Sequence, residues 1–219
     1  MNNLRPSSEV KKPYRQENNV MGKYGMKLIS WSVCLLVLSQ LCGCQSSPPK
    51  QYFVLTAQPS VIEAGSTSLK NDIGIGPIDI PEYLNFTQMV YQLEDGSLQR
   101  IGNSYWAEPL DQGISRIMSM NLSQSDHSRK LVLFPWPVEN TPQYSVTIKI
   151  MTLNRDNNNA RLNANWELVD NHVNRHITQQ NFTAITNAGT TAAEMVTAYS
   201  DLLAQLSQQI DNALQQLTD

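Results

Sequence analysis

The sequence has 219 residues, of which 41 % are apolar and 16 % charged, with a formal net charge of −3. That length suits a single domain large enough for a core of its own, and an acidic chain without a Lys/Arg stripe argues against nucleic-acid binding. Its three cysteines, at positions 34, 42 and 44, all lie within the first 44 residues.

Met1 to Tyr24 is polar, and Met26 to Gln40 (MKLISWSVCLLVLSQ) then sets one lysine before about a dozen mostly apolar residues. This is the layout of a secretory signal peptide, and the run is shorter than the roughly 20 apolar residues of an ordinary spanning helix. Leu41-Cys42-Gly43-Cys44 resembles the bacterial lipobox, in which cleavage makes the last cysteine the new N-terminus and acylates it. A zinc site would need further Cys or His ligands, and a redox pair would be spaced C-x-x-C. Cys44 is therefore the expected lipidation site. Several acyl chains on one residue anchor durably, since each buried methylene contributes about 0.8 kcal/mol and one chain binds only reversibly. Translation from Met1, Met21 or Met26 gives the same mature chain.

The expected division is a leader over 1–43 that is removed, a lipidated tether over 44–51 and a domain over 52–219. Six of the sixteen basic and two of the nineteen acidic residues precede Cys44, so about 176 residues remain, with ten basic and seventeen acidic side chains and a net charge of −7. The only cysteine left is Cys44, so the domain must be held by core packing alone.

Gln45 to Gln51 (QSSPPKQ) is Ser/Pro-rich and reads as a short tether. Tyr52 to Ala57 (YFVLTA) and Asp72 to Ile80 (DIGIGPIDI) read as strands, with a loop over Gln58 to Asn71. Thr87 to Leu93 and Ser97 to Ile101 flank Asp95-Gly96, a hairpin signal. Leu110, Ile114, Ile117, Met118 and Leu122 then recur at helical spacing behind Pro109, predicting an internal helix over about 108–123. Lys130 to Phe134 is a short strand stopped by Pro135 and Pro137.

Gln143 to Leu153, Ala160 to Asp170 and Arg175 to Ile185 read as an antiparallel meander with polar outer faces. Thr191 and Glu194 have capping-box spacing at the head of a long helix over about 191–217. Its apolar stripe is Met195, Tyr199, Leu202, Leu203, Leu206, Ile210, Leu214 and Leu217, opposite a face of Gln, Ser and Asp. The stripe packs on the sheet, or in part meets another subunit. Strands, one internal helix and a terminal helix give an α/β domain with a mixed sheet.

Motifs for chemistry are sparse. His172 and His176 fall at a predicted turn, where solvent suits them better than a metal, and His127 stands alone in a loop. Gly74-Ile75-Gly76 lacks the further glycine, lysine and helix of a phosphate loop. No serine sits in a G-x-S-x-G elbow, and Glu108 and Asp111 fit the dipole of a helix start. No catalytic residue, metal site or cofactor is expected. What stands out is the aromatic and apolar content of two segments that read as loops, Pro81 to Phe86 (PEYLNF) and Asn103 to Leu110 (NSYWAEPL). Tyr83, Leu84, Phe86, Tyr105 and Trp106 either lid the core or meet a protein or lipid partner.

In order, IDIPEYLNFTQMVYQ (Ile78 to Gln92) and SYWAEPLDQGISRIMSMNLSQ (Ser104 to Gln124), in a chain that begins YFVL shortly after its lipid cysteine, resemble the ABC-type transport auxiliary lipoproteins. The likeness spans essentially the whole mature chain. It is densest at Pro81-x-Tyr83-Leu84, Val90-Tyr91-Gln92 and Trp106-Ala107-x-Pro109-Leu110-Asp111, while the Asn-rich turn at Arg155 to Asn159 is outside the pattern.

The resemblance implies a single three-layer α/β domain with a mixed sheet, similar to anticodon-binding-like domains. It implies a non-enzymatic accessory role in lipid transport between the inner and outer membranes, contributing to envelope integrity. The implied partners are an MCE-domain protein spanning the periplasm as a tube and an integral inner-membrane protein at its base, with this lipoprotein docking the tube tip as a homo-oligomeric ring. Gln45 stands where an aspartate would favour inner-membrane retention, so the expected location is the outer membrane, facing the periplasm. The alternatives are a structural lipoprotein of another envelope transport or export complex, and a periplasmic hydrolase.

Overall fold

The computed structural model describes Trp31 and residues 48–58, 72–125 and 129–217. Cys44, His127 and most of the loop expected at 58–71 lie outside the described residues. The chain divides into a unit ending at Ser47 and one running from Pro48 to Asp219, and every element named below belongs to the second. No described helix is long and apolar enough to cross a membrane.

In chain order the elements are β1 (Gln51–Phe53), β2 (Ile73–Asp79), β3 (Gln88–Gln92), β4 (Leu98–Trp106), α1 (Leu110–Ser125), β5 (Leu131–Leu133), β6 (Tyr144–Asp156), β7 (Asn159–Asp170), β8 (Arg175–Asn187) and α2 (Ala192–Leu214). The class is mixed α/β, as expected. Among the described residues the strands divide between two mixed sheets, ordered β1-β4-β3 and β5-β2-β6-β7-β8. In the first, β1 runs parallel to β4 and β3 antiparallel to it. In the second, β2 pairs in parallel with β5 and β6, and β6, β7 and β8 form the expected meander.

The meander shows how sequence sets register. Val146, Ile148 and Ile150 face the core at period two, and the ladder then shifts between Ile150 and Thr152. The extra residue is Met151, half exposed, and Leu153 becomes the next core residue instead of Thr152. A bulge of this kind flips the parity of every later side chain. In β7 Leu162, Ala164, Trp166 and Leu168 stay buried throughout.

Helix α1 begins two residues inside the expected span, with the Gly113 amide donating to the Pro109 carbonyl at 2.9 Å. Its stripe of Leu110, Ile114, Ile117, Met118 and Leu122 is buried. Helix α2 starts as predicted: Thr191 accepts from the Glu194 amide, and Glu194 reaches back to the Thr191 amide. Met195, Tyr199, Leu202, Leu203, Leu206, Ile210 and Leu214 are each no more than 1 % exposed, and Leu217 packs on the core beyond the helix end. The expected polar face needs correction, because Ser200, Ser207 and Asp211 are buried. Small hydroxyls let α2 approach its neighbours closely: Ser200 Oγ accepts from the Thr56 amide at 3.1 Å, and Ser207 Oγ accepts from Asn121 Nδ2 on α1 at 3.3 Å.

The two segments read as loops also need correction. Asn103 to Trp106 is the second half of β4, held on one side by β1 and on the other by the Trp106 amide donating to Thr87 O at 2.8 Å. Pro81 to Phe86 contains a single 3-10 turn over Glu82–Leu84.

Candidate docking surface

Strand alternation in the three-stranded sheet separates the residues singled out by sequence. Trp106 points inward, 6 % exposed, with its ring stacked on Tyr199 of α2 at 6.4 Å between centroids. Tyr105, its neighbour, is on the outer face and half-buried, with its ring 5.7 Å from that of Tyr52. The 3-10 turn carries Leu84 into the core and leaves Phe86 exposed.

Tyr83 is half-buried, and burial raises its phenol pKa despite a hydrogen bond with the Leu153 backbone. The buried Tyr199 hydroxyl shares that backbone, 3.5 Å from the Leu153 carbonyl, and is pushed far above the ordinary phenol range by desolvation and then by the neighbouring Tyr83. Tyr83, Trp106 and Tyr199 thus close the core around Leu153. Leu84 and Trp106 are buried in the core, which tells against a docking role for their side chains. Phe86 and Tyr105 remain accessible, and Cys44 lies outside the described residues.

Between the turn and the start of α1 is a shallow cleft of about 170 Å³ lined by Asn85, Phe86, Thr87 and the segment Trp106 to Leu110. Glu108 borders it and is paired with Arg116, whose guanidinium also donates to the Leu55 carbonyl at 3.1 Å. Glu108 thus serves as the ion-pair partner of Arg116, which itself ties α1 to the segment after β1, beyond the dipole role expected of Glu108. A Cβ on Gly113 would sit 3.2 Å from the Glu108 carboxylate, so a glycine there lets that carboxylate lie against the helix.

A second open cleft, about 460 Å³, lies between Gly76-Pro77-Ile78, the α1 residues Asp111, Gln112 and Ser115, and Leu133 to Pro135. The glycines beside it serve packing: a Cβ on Gly74 would stand 2.6 Å from Pro142 and 2.7 Å from Trp136. His176 is in β8 and pairs with Glu167 on β7, while His172 lies in the turn before it. Among the described residues no three His, Cys, Asp or Glu side chains converge.

Sequence reasoning passed over Lys50, Tyr52 and Val54. The signal was the alternation within YFVL, which sends Phe53 and Leu55 inward while Tyr52 and Val54 stay exposed.

A family model described as the ABC-type transport auxiliary lipoprotein component matches residues 53–211. The intermembrane transport lipoprotein PqiC of Escherichia coli (strain K12) is 30 % identical over 94 residues, which are 42 % of this chain and 50 % of that protein. PqiC of Shigella flexneri matches to the same extent. The chain therefore spans about half the length of the curated relatives it matches. A crystal structure of an uncharacterized protein superposes with a TM-score of 0.62 at 20 % identity, covering 76 % of this chain and 99 % of the other. Protein XCC0632 from Xanthomonas campestris superposes at 0.63 with 13 % identity, covering 74 % and 92 %. At these identities the two structures establish the fold alone.

Proposed function

Because the chain belongs to the ABC-type transport auxiliary lipoprotein family, we propose that it is a non-enzymatic, lipid-anchored accessory subunit of an envelope system that moves lipids between membranes. The family match over residues 53–211 is the observation that carries this reading, and the name of the partial relative PqiC, an intermembrane transport lipoprotein, supports it. In this proposal Cys44 is acylated and holds the domain at the outer membrane, facing the periplasm. The domain assembles as a homo-oligomeric ring that receives the tip of an MCE-domain tube, whose base is an integral inner-membrane protein. Phe86, exposed beside the cleft between the 3-10 turn and α1, supplies an apolar contact for that partner. Aromatic side chains, phenylalanine among them, are enriched in protein interfaces relative to the rest of the surface.

The test is native co-purification of the acylated protein from membranes, with identification of partners and bound lipids by mass analysis. Recovery of an MCE-domain protein with an oligomer of this chain is the expected result. A monomer that brings down a different envelope complex would overturn the lipid-transport role.

A further inference from the structure

The outer face of the three-stranded sheet carries a patch that partner docking at Phe86 does not use. Parallel pairing sets Tyr52 opposite Tyr105 and Phe53 opposite Trp106, and alternation sends the second pair to the core and the first pair outward. Tyr52 is 60 % exposed and Val54 44 % exposed. The Lys50 ammonium lies 5.1 Å over the Tyr105 ring. Aromatic rings with polar tips, an aliphatic side chain and a lysine whose stem can lie along apolar surface are the combination that resides at the headgroup level of a bilayer.

A second observation places the entry of the chain beside this face. Asn103 Nδ2 on β4 donates to the Pro48 carbonyl at 2.6 Å, so the incoming chain is pinned to the middle strand of the same sheet. Cys44 precedes Pro48 by four residues, a span of at most about 14 Å. An acyl group on Cys44 therefore holds this end of the domain against the headgroups.

We propose that Lys50, Tyr52, Val54 and Tyr105 form a bilayer-docking patch that enters the headgroup region of a phospholipid membrane and fixes the orientation of the domain. The proposal rests on acylation of Cys44. The chain after residue 43 carries seven more acidic than basic residues, so anionic lipid offers no general attraction, and the patch works by aromatic and apolar burial.

The test uses the full-length protein, matured and acylated in cells and reconstituted into vesicles of phosphatidylethanolamine with a minority of phosphatidylglycerol. A nitroxide on Val54→Cys reports accessibility to membrane-dissolved oxygen against a water-soluble nickel chelate; no other cysteine follows Cys44. Val173→Cys, at a 64 % exposed site in the turn between β7 and β8, is the comparison. The expected result is an oxygen preference at residue 54 and a water-like reading at residue 173. Lys50→Ser/Tyr52→Ser/Tyr105→Ser should lose most of that preference while still floating with the vesicles, and Tyr52→Ser alone should lose part of it. A water-like reading at residue 54 in protein that floats overturns the patch and leaves acylation standing, and so does a preference that the triple variant retains. Protein that fails to float overturns the acylation reading and the patch with it.

Discussion

Arg129, just before β5, and Asp211, in the last turn of α2, form an ion pair in which each side chain is 1 % exposed. The second carboxylate oxygen of Asp211 accepts from Gln215 Nε2 at 2.7 Å. Two desolvated charges are tolerated because each compensates the other, and removing one takes a compensating charge away from the other, at a cost of up to about 3–5 kcal/mol. Asp211→Leu and Arg129→Met should each destabilise the domain by about that amount, whereas Arg129→Met/Asp211→Leu should recover much of the loss. Urea unfolding of the three variants measures this, and strictly additive effects would refute the coupling.

The capping box of α2 gives a pH-dependent prediction. Glu194 Oε2 accepts from the Thr191 amide at 2.9 Å, the Thr191 hydroxyl at 2.8 Å and the Thr190 amide at 3.0 Å. These bonds, the Thr191 amide first, hold the Glu194 carboxyl below its usual pKa. A carboxylate depressed in the folded state contributes stability that is complete above its unfolded value of about 4.3 and is lost as pH falls through the folded value. The stability difference between wild type and Glu194→Gln should therefore shrink below about pH 4.3, and the carboxyl should titrate low by NMR. Thr191→Ala should cost about 1 kcal/mol near neutral pH. Gly189→Ala should also destabilise, because Gly189 sits at φ +54° and an added Cβ would meet the Glu194 carboxylate.

Sequence alone reveals elements whose apolar spacing is unbroken, such as the stripe on α2 and the alternation over β7. It does not reveal Asp211, Ser200 and Ser207 as core residues, because a helical pattern counts polar residues as outward and their partners lie far along the chain: Asp211 and Arg129 are 82 positions apart. The bulge at Met151 is hidden for a related reason, since only the partner strand shows which residue is extra. Tyr105 and Trp106 look alike in a loop reading, and only the pairing of β4 with β1 sends one outward and the other to the core. The candidate surface was thus legible as an excess of aromatics, while its division into lid and exposed face required the sheet.

That division separates stability from partner binding. Trp106 fills the space over Tyr199, and truncation of a buried tryptophan costs about 3–5 kcal/mol; Trp106→Ala should lower the unfolding midpoint sharply. Phe86 is exposed, and surface changes usually stay within about 0.5 kcal/mol, so Phe86→Ala should leave stability nearly unchanged while reducing partner recovery in native co-purification. Equal partner recovery with wild type would remove Phe86 from the interface.

Asn154 of β6 joins the two sheets by acting as a substitute peptide group. Its Oδ1 accepts from the Gln92 amide at 2.8 Å and its Nδ2 donates to the Gln92 carbonyl at 2.8 Å, so the last residue of β3 is satisfied as it would be by a neighbouring strand. Each such bond contributes about 1 kcal/mol net, and Asn154→Ala should cost about 2 kcal/mol. Amide exchange at Gln92 should accelerate in that variant while amides in the centre of β7 keep their protection. Asn154→Asp tests the geometry further. An ionised aspartate keeps the acceptor for the Gln92 amide but sets a carboxylate oxygen against the Gln92 carbonyl, whereas the protonated acid restores a donor. Asn154→Asp should therefore be less stable than wild type at neutral pH, with the gap narrowing as pH falls through the carboxyl pKa. A gap independent of pH would show that Nδ2 does not bridge the sheets.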